Sequence, residues 1–423
     1  MIELSSKISG FYKKTIKERL EKVKEISSLS DDDIEVIANG KIEMDLVNRM
    51  VENVIGVMPV PLGIAVNFQV NGNDYLVPMA VEETSVIAGA SNAAKMARVK
   101  GGFTCTNTGP VMIGQIQAVD TPDPFGAKMR ILEAKKQIIE IADKQDPILV
   151  KFGGGCKDIR VRVLDSKIGP LVITEILVNC GDAAGMNAVN SMNEALAPLI
   201  EELSGGKVQL RIISNLADKR LVRCRAIFDK DAIGGEDVVN GIIAAYAFAE
   251  ADPYRCATHN KGIMNGIDAV IVSTGNDWRA IEAGAHAYAA TKDSGNYSSL
   301  TTWEKNQDGD LVGTIELPMA VGLVGGVTKI HPVAQRNVKI LGVKKATELG
   351  EIATAVGLAQ NFAALLALST VGIQKGHMSL HARNIAIQVG AEGKEIEKIA
   401  TQMASERKIR EDRARELLDD LRG

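Results

Sequence analysis

Between residues 111 and 213 the apolar periodicity changes in an order that few folds can accommodate. Residues 111–119 alternate as a strand, and 125–144 place Met129, Ile131, Leu132, Ile138, Ile139 and Ile141 on one helical face. Residues 159–164 and 171–178 are strands around a charged turn at 165–169. A helix opening at Asp182 and running to Leu203 follows, with Pro198 expected to disturb it because proline has no helical N–H. Residues 207–213 close the set as a strand. The order β-α-β-β-α-β is that of the ferredoxin-like split unit. Its ends lie on neighbouring strands, so it can be inserted into a loop of another domain without disturbing it.

With 423 residues the chain has room for two or three domains around a large core. Upstream of the split unit, residues 11–27 form a half-exposed helix and Ser30 with Asp33 caps a second. Residues 45–55 show a wide apolar face that predicts burial on more than one side, against another subunit among other candidates. Asn71-Gly72 joins two strands as a hairpin, and Ser85 is placed to cap an alanine-rich helix over 86–100. Residues 101–110 read as a hinge or a domain boundary. Downstream, 238–250 and 346–370 are helical, 300–305 and 311–317 form a second hairpin, and 395–421 is a charged, loosely docked helical module.

A net charge of −4 and 4% aromatic residues argue against nucleic-acid binding. Cys105, Cys156, Cys180, Cys224 and Cys256 make no CxxC pair and no metal-ligand spacing with histidine. They read as reduced core thiols. The N-terminus has no apolar signal core and no apolar run of membrane-spanning length is read, so a soluble cytoplasmic protein is expected.

Residues 252–284 crowd His259, Asn260, Lys261, Asn265, Asn276 and Asp277 among small residues. Such a stretch lines a site or is a run of capped helices. Glu82 and Glu83, at the edge of the small-residue helix, require a cationic partner if buried. Glu83, Lys261 and Asp277 are candidates for one buried charged network, in which a lysine would hold a developing oxyanion and a glutamate would carry a proton; spacing alone does not bring them together. Asp182, Ala183, Ala184, Gly185, Met186 and Asn187 follow a strand and open a helix, where backbone N–H groups meet a phosphate or merely begin a capped helix. Asp146 is either a solvated loop acid or an acceptor for a ribose hydroxyl that repels a 2′-phosphate. His377 is a surface residue or an acid carried by a closing lid. The glycines at 153–155 lack the GxGxxG spacing, no GxxxxGK[ST] loop occurs, and Cys156 lacks a nucleophile's flanking pattern.

Taken together, ENVIG at 52–56, VEETS at 81–85, GGGCKD at 153–158, DAAGMN at 182–187, SNLAD at 214–218, DPYRCATHNKGIMNGID at 252–268, TGNDWRAIEAGAHAYA at 274–289, SLTTWEK at 299–305, GLVGGVT at 322–328 and GHMSLHARN at 376–384 are highly specific. On them the chain, from about residue 15 onward, resembles the class II 3-hydroxy-3-methylglutaryl-CoA (HMG-CoA) reductases. The resemblance implies an α+β architecture. A large mixed domain (1–110 and 216–373) carries an inserted ferredoxin-like dinucleotide-binding domain (111–215) and a mobile C-terminal helical flap (374–423). It implies two hydride transfers between HMG-CoA and mevalonate plus CoA, a homodimer with sites at the subunit interface, NAD(H) favoured with NADP(H) as the alternative, and no metal. Glu83, Lys261, Asp277 and His377 match the catalytic acid, lysine, aspartate and flap histidine. Ser85, Asn215, Arg255 and Asn265 match acyl-handling positions. Residues 182–187 match the cofactor signature, with Ala184 where many members carry methionine, and Asp146 matches an acid that favours NAD(H) in some members. Two competitors are a thiolase-like acyltransferase, which requires a reactive cysteine, and an RNA binder, which lacks its aromatic pattern.

Overall fold

The computed structural model describes residues 5–292, 295–370, 382–406 and 408–422. Its strands are β1 (Leu62–Val70), β2 (Asn73–Ala80), β3 (Phe103–Asn107), β4 (Val111–Val119), β5 (Gly155–Leu164), β6 (Leu171–Asn179), β7 (Lys207–Ile213), β8 (Leu221–Phe228), β9 (Thr301–Lys305) and β10 (Leu311–Pro318). They build a six-stranded sheet in the order β2-β1-β3-β8-β10-β9 and a four-stranded sheet in the order β5-β6-β4-β7.

Every pairing in the smaller sheet is antiparallel. With helices between β4 and β5 and between β6 and β7, this is the arrangement a β-α-β-β-α-β unit requires. Its helices bury Ile131, Ile138, Val189, Met192, Leu196 and Ile200 against the sheet. Residues alternating the other way include Glu175, buried with Arg160 at 3.0 Å and Arg162 at 2.7 Å.

In the larger sheet the β1–β2 hairpin turns at Asn71 and Gly72, whose φ values of 49° and 80° are the left-handed pair of a tight turn. Two helices pack beside this sheet, Pro253–Ser273 and Ala346–Ser369, and glycines set their close approach. A Cβ on Gly266 would meet Gln360 Cβ at 2.9 Å, and one on Gly357 would meet Ile267 at 2.7 Å. The helix Ala346–Ser369 is long and apolar enough to cross a membrane, which corrects the expectation that no such run exists. Here it is largely buried as a core helix.

Other expectations are also corrected. Residues 101–110 are not a hinge: β3 occupies them, paired with β1 and β8. Gly102, at φ 79°, lets this strand enter where a Cβ would strike Gln69 O at 2.4 Å. The helix expected over 45–55 spans only Met44–Met50, because Val51 is extended and Asn53 is left-handed at φ 56°. The single helix expected over 125–144 is two, Pro124–Glu133 and Lys135–Asp143, with a break at Ala134. Pro198 does not interrupt Met186–Ser204. It and Glu194, whose carbonyl loses a partner there, both face solvent, so water can replace the missing bond. Beyond residue 382, the helices Lys394–Glu406 and Glu411–Arg422 share a small core of their own with Ala382, Ile385 and Ala386.

Candidate active site

Asp252 starts the central helix, its Oδ1 accepting from Tyr254 N at 2.8 Å with Pro253 in the first turn. Helical spacing then divides the crowded polar stretch. Lys261, Asn265 and Asp268 share one face. His259 and Asn260 are buried on another, where Asn260 accepts from Leu300 N at 3.0 Å and donates to Ser298 O at 3.0 Å. Asn276 accepts from Gly322 N at 2.7 Å. These three hold the scaffold together, so part of the stretch is structural and part faces outward.

Glu83 arrives from the turn after β2. Its Oε2 accepts from Lys261 Nζ at 2.8 Å and from Asn265 Nδ2 at 3.3 Å. The pair is not buried as expected: the lysine side chain is 60% exposed and that of Glu83 40%. It stands at the protein surface, where solvent lowers the cost of both charges. Ser85 does not cap the helix Val86–Ala97 with its side chain; its backbone is left-handed at φ 73°, a conformation costly for a non-glycine residue and concentrated at functional sites.

Asp277 is not joined to Glu83 or Lys261 by a direct bond among the described residues. It begins the helix Trp278–Thr291, accepting from Ala280 N at 3.1 Å. Arg255 is half-buried, and burial lowers its pKa. Asn215 is exposed in the loop after β7, which lies against Gly284 so closely that a Cβ there would meet Asn215 O at 2.6 Å. Neither contacts the Glu83–Lys261 pair. His377 lies outside the described residues.

The loop at 182–187 joins the small sheet to the large domain. Asp182 does not open the helix, which begins at Met186 after Gly185 at φ 98°. Its Oδ1 instead accepts from Ala346 N at 2.8 Å, and its carbonyl accepts from Leu323 N at 2.8 Å. Ala183 pairs with Val324. The buried Arg220 donates to Ala183 O at 3.1 Å, to Ala184 O at 3.4 Å and to Val321 O. Burial lowers its pKa to about 10. Sequence reasoning missed this residue, because it stands in a basic stretch with Lys219, Arg223 and Arg225 and nothing in the sequence sets it apart. Beside the loop, Gln145, Asn187, Asn190, Ser191 and Glu194 line an open groove of about 620 Å³. Asp146 adjoins it and caps the short helix Pro147–Lys151, accepting from Leu149 N at 2.9 Å.

All five cysteines are buried and free. Burial pushes the Cys156, Cys180 and Cys256 thiols up to about 11, the opposite of what a nucleophile needs. The acyltransferase alternative thus loses three candidates. Among the described residues no group of three or more histidine, cysteine or acidic side chains is placed to hold a metal.

The profile of the hydroxymethylglutaryl-coenzyme A reductases matches residues 15–382. This chain belongs to that family. It is 57% identical to the 3-hydroxy-3-methylglutaryl-coenzyme A reductase of Archaeoglobus fulgidus over 99% of its own length and 95% of the relative's. With the probable reductase of Borreliella burgdorferi the identity is 34%, over 89% of this chain and 86% of that one. The class II HMG-CoA reductase of Streptococcus pneumoniae bound to NADPH, in open conformations, superposes with a TM-score of 0.82 at 38% identity, covering 97% of this chain and all 100% of the other. A second structure of the S. pneumoniae reductase gives a TM-score of 0.84, covering 98% and 99%. The chain is therefore an HMG-CoA reductase of class II form, an oxidoreductase with a mixed α/β fold.

Proposed function

We propose that the Glu83–Lys261 pair is the reacting centre for interconversion of HMG-CoA and mevalonate plus CoA. The 2.8 Å ion pair, made across 178 residues of sequence, is the observation that carries this reading. Two reduced nicotinamides, bound one after the other, would each supply one hydride. Each transfer builds negative charge on a carbonyl oxygen, and Lys261 Nζ is the cation to meet it. Glu83, already bonded to Lys261, passes a proton to that oxygen, and Asn265 orients the carboxyl. Asp277 tunes the charge of the pair, a role supported by the packing of its helix against that of Lys261. Ser85, Asn215 and Arg255 handle the acyl group. His377 protonates the departing CoA thiolate, so that it does not re-add to the aldehyde.

The residues fit a dinucleotide at the 182–187 loop. Small side chains there permit close backbone approach, and the amides and hydroxyl of the adjoining groove suit a sugar–phosphate chain. The S. pneumoniae relative binds NADPH. For this chain NADH is the favoured donor, because the Asp146 carboxylate beside the groove would repel a 2′-phosphate. Replacing Asp146 by alanine is expected to lower the NADH-over-NADPH ratio of kcat/KM about tenfold. An unchanged ratio removes Asp146 from cofactor choice.

The inserted domain at 111–215 is supported by the direct pairing of β3 with β8, which flank it in sequence. A flap over 374–423 is supported by the separate small core beyond residue 382. The exposed Val51, Ile55, Val57 and Met58 support a homodimer that covers them. The free thiols support a cytoplasmic location.

Steady-state turnover of HMG-CoA with each nicotinamide tests the whole reading. Release of CoA with oxidation of two nicotinamides per mevalonate is expected; no CoA release with either donor overturns it.

A further inference from the structure

The two strands that flank the small sheet in sequence carry one cysteine each. Cys105, at the centre of β3, stands directly opposite Cys224 of β8 in the antiparallel register. Directly opposed residues point to the same face of a sheet, and here both side chains are buried, 5% and 3% exposed. Both are free thiols. Among the described residues no strand register opposes any other two cysteines.

The kind of pair decides how near the two sulfurs come. In an antiparallel ladder, opposed residues alternate between pairs that exchange two main-chain hydrogen bonds and narrower pairs that exchange none. Cys105 N donates to Asn71 Oδ1 at 2.8 Å, and Cys105 O accepts from Asn71 Nδ2 at 3.2 Å. Asn71 directly follows β1, which lies on the opposite side of β3 from β8. Both main-chain groups of Cys105 therefore point away from Cys224. Three steps along the register, Thr108 N donates to Leu221 O at 3.0 Å, as the alternation requires when 105 and 224 are a narrow pair. The Cα atoms of a narrow pair are about 4.5 Å apart, within the roughly 4.4–6.8 Å that a disulfide spans.

We propose that Cys105 and Cys224 are a disulfide-forming pair, a covalent staple across the base of the small-sheet domain that closes when a small-molecule disulfide is the oxidant. One protein thiolate attacks the small disulfide, forms a mixed disulfide and releases one small thiol. The second protein thiolate then displaces the other small thiol. Two S–H bonds are lost, one S–S bond forms between the strands, and the two electrons leave with the two small thiols. The neighbouring Cys224 thiol and burial hold Cys105 protonated. Exchange therefore runs through openings of β3, which is five residues long and pairs with β1 at a single register position, Val70 with Phe103. The chain between the cysteines, residues 106–223, contains the whole small sheet and its helices. Closing so long a loop restricts the unfolded chain far more than a short one does. Neither thiol is bonded to Glu83 or Lys261 among the described residues, so the staple acts on stability and does not depend on the reading of the active site.

Oxidised glutathione at mildly alkaline pH, applied to the full-length protein, tests the pair. After alkylation of the remaining thiols, peptide mass mapping is expected to show one cross-linked product, two hydrogens lighter than its parts, that joins Cys105 to Cys224. The oxidised protein should melt roughly 5 °C above the reduced one, and a reductant should return it to the original Tm. Cys105→Ser and Cys224→Ser should each abolish both the link and the gain in Tm, whereas Cys156→Ser keeps both. Should either of the first two variants fail to fold, the wild-type mass map and the reversible Tm shift still decide the matter. All five thiols still alkylated after oxidation overturn the proposal, as do glutathione adducts that never resolve or a link to another cysteine. A linked protein that melts where the reduced one does also overturns it.

Discussion

Alanine at Lys261 is expected to lower kcat for HMG-CoA reduction roughly a thousandfold, the upper range for loss of one preorganised donor to a developing oxyanion. The truncation removes the cation and leaves Glu83 with only the 3.3 Å bond from Asn265. The carboxylate then has less reason to hold its position, so proton transfer and charge stabilisation fail together. Arginine is not expected to restore the rate. Its planar fork satisfies a carboxylate sideways and cannot present a single compact charge at the same point. Affinity for the nicotinamide should change little, because the 182–187 loop is held by Arg220, Ala346 and residues 322–324 rather than by this helix. Single-turnover and steady-state rates, with nicotinamide binding measured alongside, check the split. An alanine variant with near-normal turnover would remove Lys261 from the chemistry.

That pair shows where sequence reading stops. Local rules were legible: Asn71-Gly72 turns as its residue types demand, and Asp252-Pro253 starts a helix as an N-cap followed by proline. The β-α-β-β-α-β order was legible too, because each of its elements carries its own period. Strands β3 and β8 were missed. β3 is short, whereas β8 alternates apolar and charged residues and carried a signal that went unread; the two pair with each other across more than 110 residues of intervening chain. Burial decided the polar stretch. His259 and Asn260 look no different in sequence from Lys261, yet one face of the helix enters the core and the other faces outward. The 3.6-residue period already placed Lys261, Asn265 and Asp268 together. What spacing could not supply is that Glu83 meets Lys261; the resemblance to a known family did that.

His259, on the buried face of the same helix, makes the second large effect one of stability. Its Nε2 lies 2.9 Å from both Thr301 Oγ1 and Ser299 Oγ, while its Nδ1 is buried without a partner among the described residues. A charged ring would bury an unsatisfied N–H, so burial, followed by the nearby Arg255 charge, pushes its pKa down to about 3. In the unfolded chain the ring titrates at its ordinary value, about 6.5. Between these two values the unfolded state binds a proton that the folded state refuses, so stability from this residue is lost as the pH falls. From pH 6.5 to 4.5 the loss is about 2.3 kcal/mol. Asp268 acts in the opposite sense: its folded pKa is raised, so the folded state holds a proton the unfolded chain has released, and acidification over the same range favours folding. The two contributions oppose each other, and the wild-type curve alone conceals both. In a His259→Gln variant the Asp268 contribution is left uncovered. Denaturant unfolding at pH 6.5 and 4.5 should therefore show the variant gaining about 2 to 3 kcal/mol relative to wild type on acidification, whatever its stability at neutral pH. Parallel pH dependences for the two proteins would mean that the buried imidazole is protonated in the folded state, and that the hydroxyls around it have rearranged to accept the charge.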